Sequence, residues 1–221
     1  MLTIRRDDGH VDAHDPAIYF APDPYAYEAS LLRGVEGPVL DVGSGAGRTL
    51  LWLDRSGIAA AGIDLSPGAV EVAQSRGCKD VRLGDVMDAM GETLENNAFQ
   101  TAVVFGNNMG IGGTYEGAEL LLRRLARVVR PGGRALVTGL DIAQTDAPHH
   151  LAYHRRNLEK GRPRGEIEMR FEYQGCVGNW MKWFHPEPNE LERLAMSAGW
   201  SIERLGPVDG PFFAAVLRNS G

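Results

Sequence analysis

From Pro38 onward the chain alternates short apolar runs with amphipathic stretches. The runs are Val39–Val42, Ile58–Ile63, Val81–Leu83, Thr101–Phe105 and Ala135–Thr138, and helical stretches begin near Arg48, Pro67, Val86 and Tyr115. Each run is apolar without strict alternation, as expected of strands buried on both faces of a parallel sheet. Tyr115–Val129 carries the clearest helical period. Leu121, Leu122, Leu125, Val128 and Val129 share one face, and Arg123, Arg124 and Arg127 the other, before Arg130-Pro131-Gly132-Gly133 ends it. Strand and helix in alternation predict a doubly wound α/β fold, a Rossmann-like sheet of seven strands, mostly parallel with the last antiparallel.

The pattern differs at both flanks. Residues 1–37 are mixed and predict an N-terminal cap segment, with a short helix over 23–32 opened by Asp23 as N-cap and Pro24 at the first helical position. Residues 141–186 break the αβ rhythm and predict a helix-plus-hairpin insertion after the fifth strand: a helix around Leu151–Lys160, then strands Glu166–Tyr173 and Cys176–Phe184 joined at Gln174-Gly175. A helix at Pro188–Ala198 and an antiparallel pair, Trp200–Leu205 and Phe212–Leu217, close a single domain.

Composition narrows the class. A chain of 221 residues fits one core, since single domains run to about 200–250 residues. The net charge of −6 argues against general nucleic-acid binding, which depends on neutralising phosphates. No apolar run reaches the roughly 20 residues of a membrane span, and the polar start from Arg5 lacks a signal-peptide core, so a cytoplasmic protein is expected. Cys78 and Cys176 share no ligand spacing, and both are expected free and buried.

The chemistry concentrates in Val39-Leu40-Asp41-Val42-Gly43-Ser44-Gly45-Ala46-Gly47-Arg48, a buried strand running through a glycine-rich loop into a helix. Glycines let the backbone adopt positive φ and approach a ligand, and the helix start offers unpaired N–H groups. Alone the loop is a weak signal. Asp64 ends the second strand 21 residues after Gly43, where an acid can accept from both ribose hydroxyls, and Asp85 ends the third. Three acids at successive strand ends share the carboxyl edge of one sheet, where open α/β folds bind ligands. Read singly, each Asp is equally well a helix cap or turn former.

With Asp41-Val42-Gly43-Ser44-Gly45-Ala46-Gly47, Gly62-Ile63-Asp64-Leu65-Ser66, Gly84-Asp85-Val86 and the helix Leu125–Gly133 leading to a fifth strand, the chain resembles the class I S-adenosylmethionine-dependent methyltransferases of types 11 and 25. The resemblance covers about residues 35–140. It implies S-adenosyl-L-methionine as cofactor and S-adenosyl-L-homocysteine as product. It implies further that Gly43, Ser44, Gly45 and Gly47 line the methionine moiety and that Asp41 lies near its amino group. Asp64 with Leu65 would meet the ribose, Asp85 and Val86 the adenine, and Gly106 and Asn107 would complete the set. Val104-Phe105-Gly106-Asn107-Asn108-Met109 departs from the Asn/Asp-Pro-Pro-Tyr/Phe motif that methylates amino groups of bases and glutamine, so a small-molecule acceptor is expected. The alternatives are a non-catalytic protein binding S-adenosylmethionine or S-adenosylhomocysteine, and an NAD-dependent oxidoreductase. The latter's loop reads G-x-G-x-x-G, whereas here the glycines run G-x-G-x-G.

Methyl transfer from a sulfonium is an in-line displacement, and a general base is needed only when the acceptor must lose a proton. His149, His150, Tyr153, His154 and His185 are candidates in the insertion, but solvated or capping histidines fit them as well, and no catalytic residue is assigned. His150 and His154 would share a helix face, yet no H-E-x-x-H pattern accompanies them and no metal is expected. Tyr19, Asn108, Tyr153 and His154 are the candidate acceptor contacts. Trp180, Trp183 and Phe184 suit packing or a homodimer contact, so residues 141–186 are expected to act as a substrate lid or a dimer surface.

Overall fold

The computed structural model describes residues 1–88 and 94–221. Its main layer is a seven-stranded sheet built from β3 (Val39–Val42), β4 (Ala60–Asp64), β5 (Val81–Leu83), β6 (Phe99–Val104), β7 (Val129–Leu140), β11 (Trp200–Asp209) and β12 (Phe212–Asn219), in the order β11-β12-β7-β6-β3-β4-β5. The pairs from β7 through β5 are parallel. Only β12, between β7 and β11, runs antiparallel to its neighbours. All four residues of β3 are buried, which explains its unbroken apolar character around Asp41.

Helices α2 (Arg48–Arg55), α3 (Pro67–Ser75), α4 (Tyr115–Val128) and α6 (Pro188–Ser197) flank the sheet, after the N-terminal α1 (Ala26–Leu32). Ser66 caps α3 with Pro67 in its first turn, as its sequence predicts. In α4, Leu121, Leu122, Leu125 and Val128 are buried, and the Trp200 indole N–H donates to the Leu122 carbonyl at 2.9 Å. The terminal antiparallel pair thereby docks on α4.

Residues 1–14 and 166–184 form a second sheet. β1 (Leu2–Arg6) and β2 (Val11–His14) pair with each other, and β1 pairs with β8 (Glu166–Tyr173), which also carries β9 (Cys176–Val177) and β10 (Met181–Phe184). The register sets Ile4 opposite Phe171, and Arg5 binds Glu172 at 2.8 Å. α5 (Pro148–Glu159) lies beside it, with the Tyr153 hydroxyl donating to Asp7 at 2.7 Å.

Three local expectations need correction, and a fourth falls largely outside the described residues. The N-terminal helix opens at Ala26, because the Glu28 carboxylate takes the Tyr25 N–H at 3.0 Å as a capping box, while Asp23 is held by Arg55. The strand expected over 176–184 is broken into two, since a one-residue bulge at 178–180 lets the Gly178 N–H reach the Phe171 carbonyl at 2.8 Å. Cys176, at a hairpin tip, is exposed, and Cys78 alone is buried. The helix expected from Val86 begins as a turn at 86–88 and otherwise lies outside the described residues.

Candidate functional site

The glycine loop leaves β3 at the carboxyl edge and is fixed from three sides. From β4, the Ile63 carbonyl accepts from the Gly43 and Ser44 N–H groups at 2.9 and 3.2 Å. From the end of β4, one Asp64 oxygen accepts from Gly45 N–H and the other from Ser66 N–H, each at 2.8 Å. From the loop after β6, the Asn108 amide donates to the Val42 and Gly43 carbonyls at 2.8 and 2.9 Å. Gly43, Gly45 and Gly47 all have positive φ, between 53° and 79°. A side chain at Gly47 would strike Cys78, whereas at Gly45 it would enter open space. The loop is therefore closed toward the core and open at Gly45.

The remaining expected cofactor residues gather along the same edge. Asp85 accepts from the Met87 N–H at 2.8 Å through one oxygen, with Val86 buried beside it. Leu65 is 66% exposed. Gly106 donates to the Thr138 hydroxyl at 3.1 Å, and Asn107 follows in the left-handed region. Both oxygens of Asp64 already hold backbone N–H groups, and a carboxylate keeps further lone pairs for a ligand.

The expected acceptor residues separate. Tyr19 is exposed in the N-terminal segment. Asn108 lies beneath the loop with its amide committed to it. Tyr153 is buried between Arg6 and Arg156, whose guanidiniums lie 4.0 and 4.4 Å from its ring centre. His154 sits on the same helix, its pKa lowered by burial and by Arg164, His150 and Arg6. The hydrogen bonds of Tyr153 thus belong to the second sheet rather than to the glycine loop.

Sequence reasoning missed Glu28, Arg48 and Arg76. Glu28 is fully buried and its carboxylate accepts from Arg48 at 2.8 Å, joining α1 to the helix that follows the loop. Arg76 donates to the Ala46 carbonyl at 2.6 Å and to the Phe20 and Ala21 carbonyls at 3.1 and 3.2 Å, strapping the N-terminal segment to the loop. Tyr25 and Tyr27 stack, Tyr27 stacks on Phe212, and Arg48 lies over Tyr25. Asp41 is 4% exposed, and its pKa is pushed up to about 7 by burial foremost, then by the neighbouring charge of Glu28.

Trp183 of β10 packs on the turn 108–112: a methyl group added at Gly110 would overlap its indole. The insertion is thereby linked, through Gly110 and Asn108, to the glycine loop. Elsewhere His10, His149 and His150 bring donor atoms within 4.8 Å of one another. However, the His10 and His149 rings stack at 4.0 Å, and Arg6 donates to His150 Nδ1 at 3.1 Å. A neutral His150 accepting there carries its hydrogen on Nε2, so it offers no free lone pair to an ion.

The family described as "Methyltransferase domain" matches residues 39–133, from the start of β3 past the end of α4. Methyltransferase GfsG of Streptomyces halstedii is 30% identical over 112 residues, covering 48% of this chain and 39% of that protein. A demethylmenaquinone methyltransferase of Corynebacterium kroppenstedtii is 26% identical over 168 residues, covering 73% and 67%. A S-adenosylmethionine-dependent methyltransferase of Bacteroides fragilis, solved in complex with S-adenosyl-L-homocysteine, superimposes with a TM-score of 0.82 at 26% identity, covering 98% of this chain and 86% of that one. Among the described residues no helix is long and apolar enough to cross a membrane. From β3 into β7 the chain matches a methyltransferase domain, and over 98% of its length it is similar in fold to a S-adenosylmethionine-dependent methyltransferase.

Proposed function

We propose that this chain transfers the methyl group of S-adenosyl-L-methionine to a small-molecule acceptor. The observation that carries this reading is the loop Gly43–Gly47, closed on the core and open at Gly45, with Asp41, Asp64 and Asp85 along one sheet edge. In this reading Gly43, Ser44, Gly45 and Gly47 pass along the methionine moiety. Asp64 and Leu65 meet the ribose, Asp85 and Val86 the adenine, and Gly106 and Asn107 form the facing wall. The bound cofactor supplies the activated methyl group. The chain's own share is to hold the acceptor in line and keep water out, and such positioning lowers a barrier by several kcal/mol.

Residues 141–186 are the acceptor's cover. The Trp183 contact with Gly110 supports this, because it seats β10 on the turn whose Asn108 anchors the cofactor loop. A small acceptor accords with one relative, named for demethylmenaquinone, and with the net charge of −6, which disfavours nucleic acid.

Two measurements test the reading. Calorimetry should show saturable S-adenosylhomocysteine binding, and incubation with methyl-labelled cofactor and small-molecule fractions should give a labelled product by mass spectrometry. Binding without turnover across such fractions would favour a non-catalytic binder instead. Hydrogen exchange should slow across 141–186 when S-adenosylhomocysteine and acceptor are both bound. Unchanged protection there would remove the covering role.

A further inference from the structure

Behind the glycine loop lie two buried acids, Asp41 and Glu28, and one guanidinium, that of Arg48, which is bound to Glu28. Asp41 in β3 is almost wholly buried, and its carboxylate accepts no hydrogen bond among the described residues. Glu28 in α1 is fully buried. Its Oε2 accepts from Arg48 at 2.8 Å and from the Tyr25 N–H at 3.0 Å, while its Oε1 is buried without a partner. The charged and titratable groups acting on Asp41 are Glu28 from α1, Arg48 from α2 and Asp64 at the end of β4. The Cys78 thiol beyond α3 feels the charge of Asp41 in turn. Arg48 is the single cation of this set, and its hydrogen bond goes to Glu28.

An unpaired carboxylate removed from water is costly, and such a group keeps its proton instead. Burial is the largest cause raising Asp41, to about 7, and Glu28 adds to it. Burial likewise raises Glu28, with Arg48 pulling the other way. With Asp41 and Glu28 both ionised, Arg48 offsets only one of their two charges and Asp64 adds a third negative charge beside them, so a proton on the pair relieves the excess.

We propose that binding of the cofactor's α-ammonium end displaces this proton from the Asp41–Glu28 pair, so that cofactor affinity is tied to pH by the loop's own buried acids. This deepens the function proposed above and rests on it. The balance is simple: the carboxyl O–H bond breaks, the proton leaves to solvent, and the arriving ammonium supplies the positive charge in its place. Glu28 is a positioning residue here. It acts through Asp41 by raising the affinity of that carboxylate for the proton, and it fixes Arg48 at the start of α2.

The experiment is calorimetry of S-adenosylhomocysteine binding in phosphate and in imidazole, buffers of different ionisation enthalpy, at pH 6 and 7. This range lies below the usual α-amino pKa of about 8. A group titrating near 7 should release about 0.9 proton per ligand at pH 6 and about half a proton at pH 7. 5′-Methylthioadenosine, which lacks the amino-acid end, should release none. Glu28→Gln keeps the shape and removes one negative charge, so the pH midpoint of proton release should move down. Arg48→Gln removes the cation and should move it up. Opposite shifts are not expected of residues that serve the fold alone, and circular dichroism of both variants checks that they fold. If S-adenosylhomocysteine binds without proton release at pH 6, or releases as many protons as 5′-methylthioadenosine, the proposal is overturned while the cofactor site stands. If wild-type protein binds neither ligand, the cofactor reading itself fails, and the proposal with it.

Discussion

Asn108 holds the glycine loop from below, and an isosteric exchange there separates its chemistry from its shape. Its Nδ2 donates to the Val42 and Gly43 carbonyls at 2.8 and 2.9 Å. Asn108→Ala deletes two hydrogen bonds. At about 1 kcal/mol net for each, the loss is about 2 kcal/mol. Unfolding midpoints of domains this size fall by roughly 2–4 °C per kcal/mol, so the melt should drop by about 4–8 °C. Asn108→Asp keeps the outline but points a carboxylate, which can only accept, at two carbonyls. Its repulsion and desolvation add to the lost bonds, so this variant should be the worse of the two by about 1–3 kcal/mol. Calorimetric melting of both variants, with and without S-adenosylhomocysteine, measures this, and the cofactor-induced rise in midpoint should shrink in each. An aspartate variant as stable as the alanine variant would refute the donor role assigned to that amide.

Three further outcomes follow from the same geometry. Gly45→Val meets no neighbour but is strained at φ 53°, so it should fold with a moderately lowered midpoint and lose S-adenosylhomocysteine binding in calorimetry; retained affinity would place the ligand elsewhere. Gly47→Val should instead lower the melting midpoint sharply, because its side chain would strike Cys78; a melt matching that of Gly45→Val would contradict the packing described. Burial lowers the His185 pKa to about 4, so the unfolded chain takes up a proton below about 6.5 that the folded one refuses. Stability from this group is full above pH 6.5 and is lost as pH falls toward 4, by about 3 kcal/mol at most. In denaturant titrations His185→Gln should flatten that acid limb, and an unchanged limb would show that other groups govern it.

The sheet was legible in the sequence because each central strand is buried on both sides and must be apolar throughout. β3 and β5 begin and end where their runs do. The loop was legible because only glycine tolerates its φ angles at so little cost. The second sheet was not. β1 alternates Leu2 and Ile4 with Thr3 and Arg5, but its partner lies more than 160 residues away, and neither strand shows the pairing by itself. The capping box at Tyr25 escaped notice because a tyrosine is no usual N-cap, whereas Asp23-Pro24 imitates a helix start. Glu28 and Arg48 read as ordinary charges of a helix face. Their burial arises only when α1 folds across the loop, a tertiary fact that local spacing does not encode.

The inner place of β1 in the second sheet bears on how the chain is made and handled. β1 lies between β2 and β8, so β8 depends on it for one of its edges. During synthesis at about 5–20 residues per second, β1 waits roughly 8–30 s before β8 emerges to meet it. For that interval the β1–β2 hairpin stands alone, and an isolated hairpin is marginal in water. Removing residues 1–14 would leave β8 with an unpaired row of N–H and C=O groups, the template along which chains add to one another. Trimmed protein should therefore tend to self-associate through β8, and a tag fused close to Leu2 would crowd the strand that prevents it.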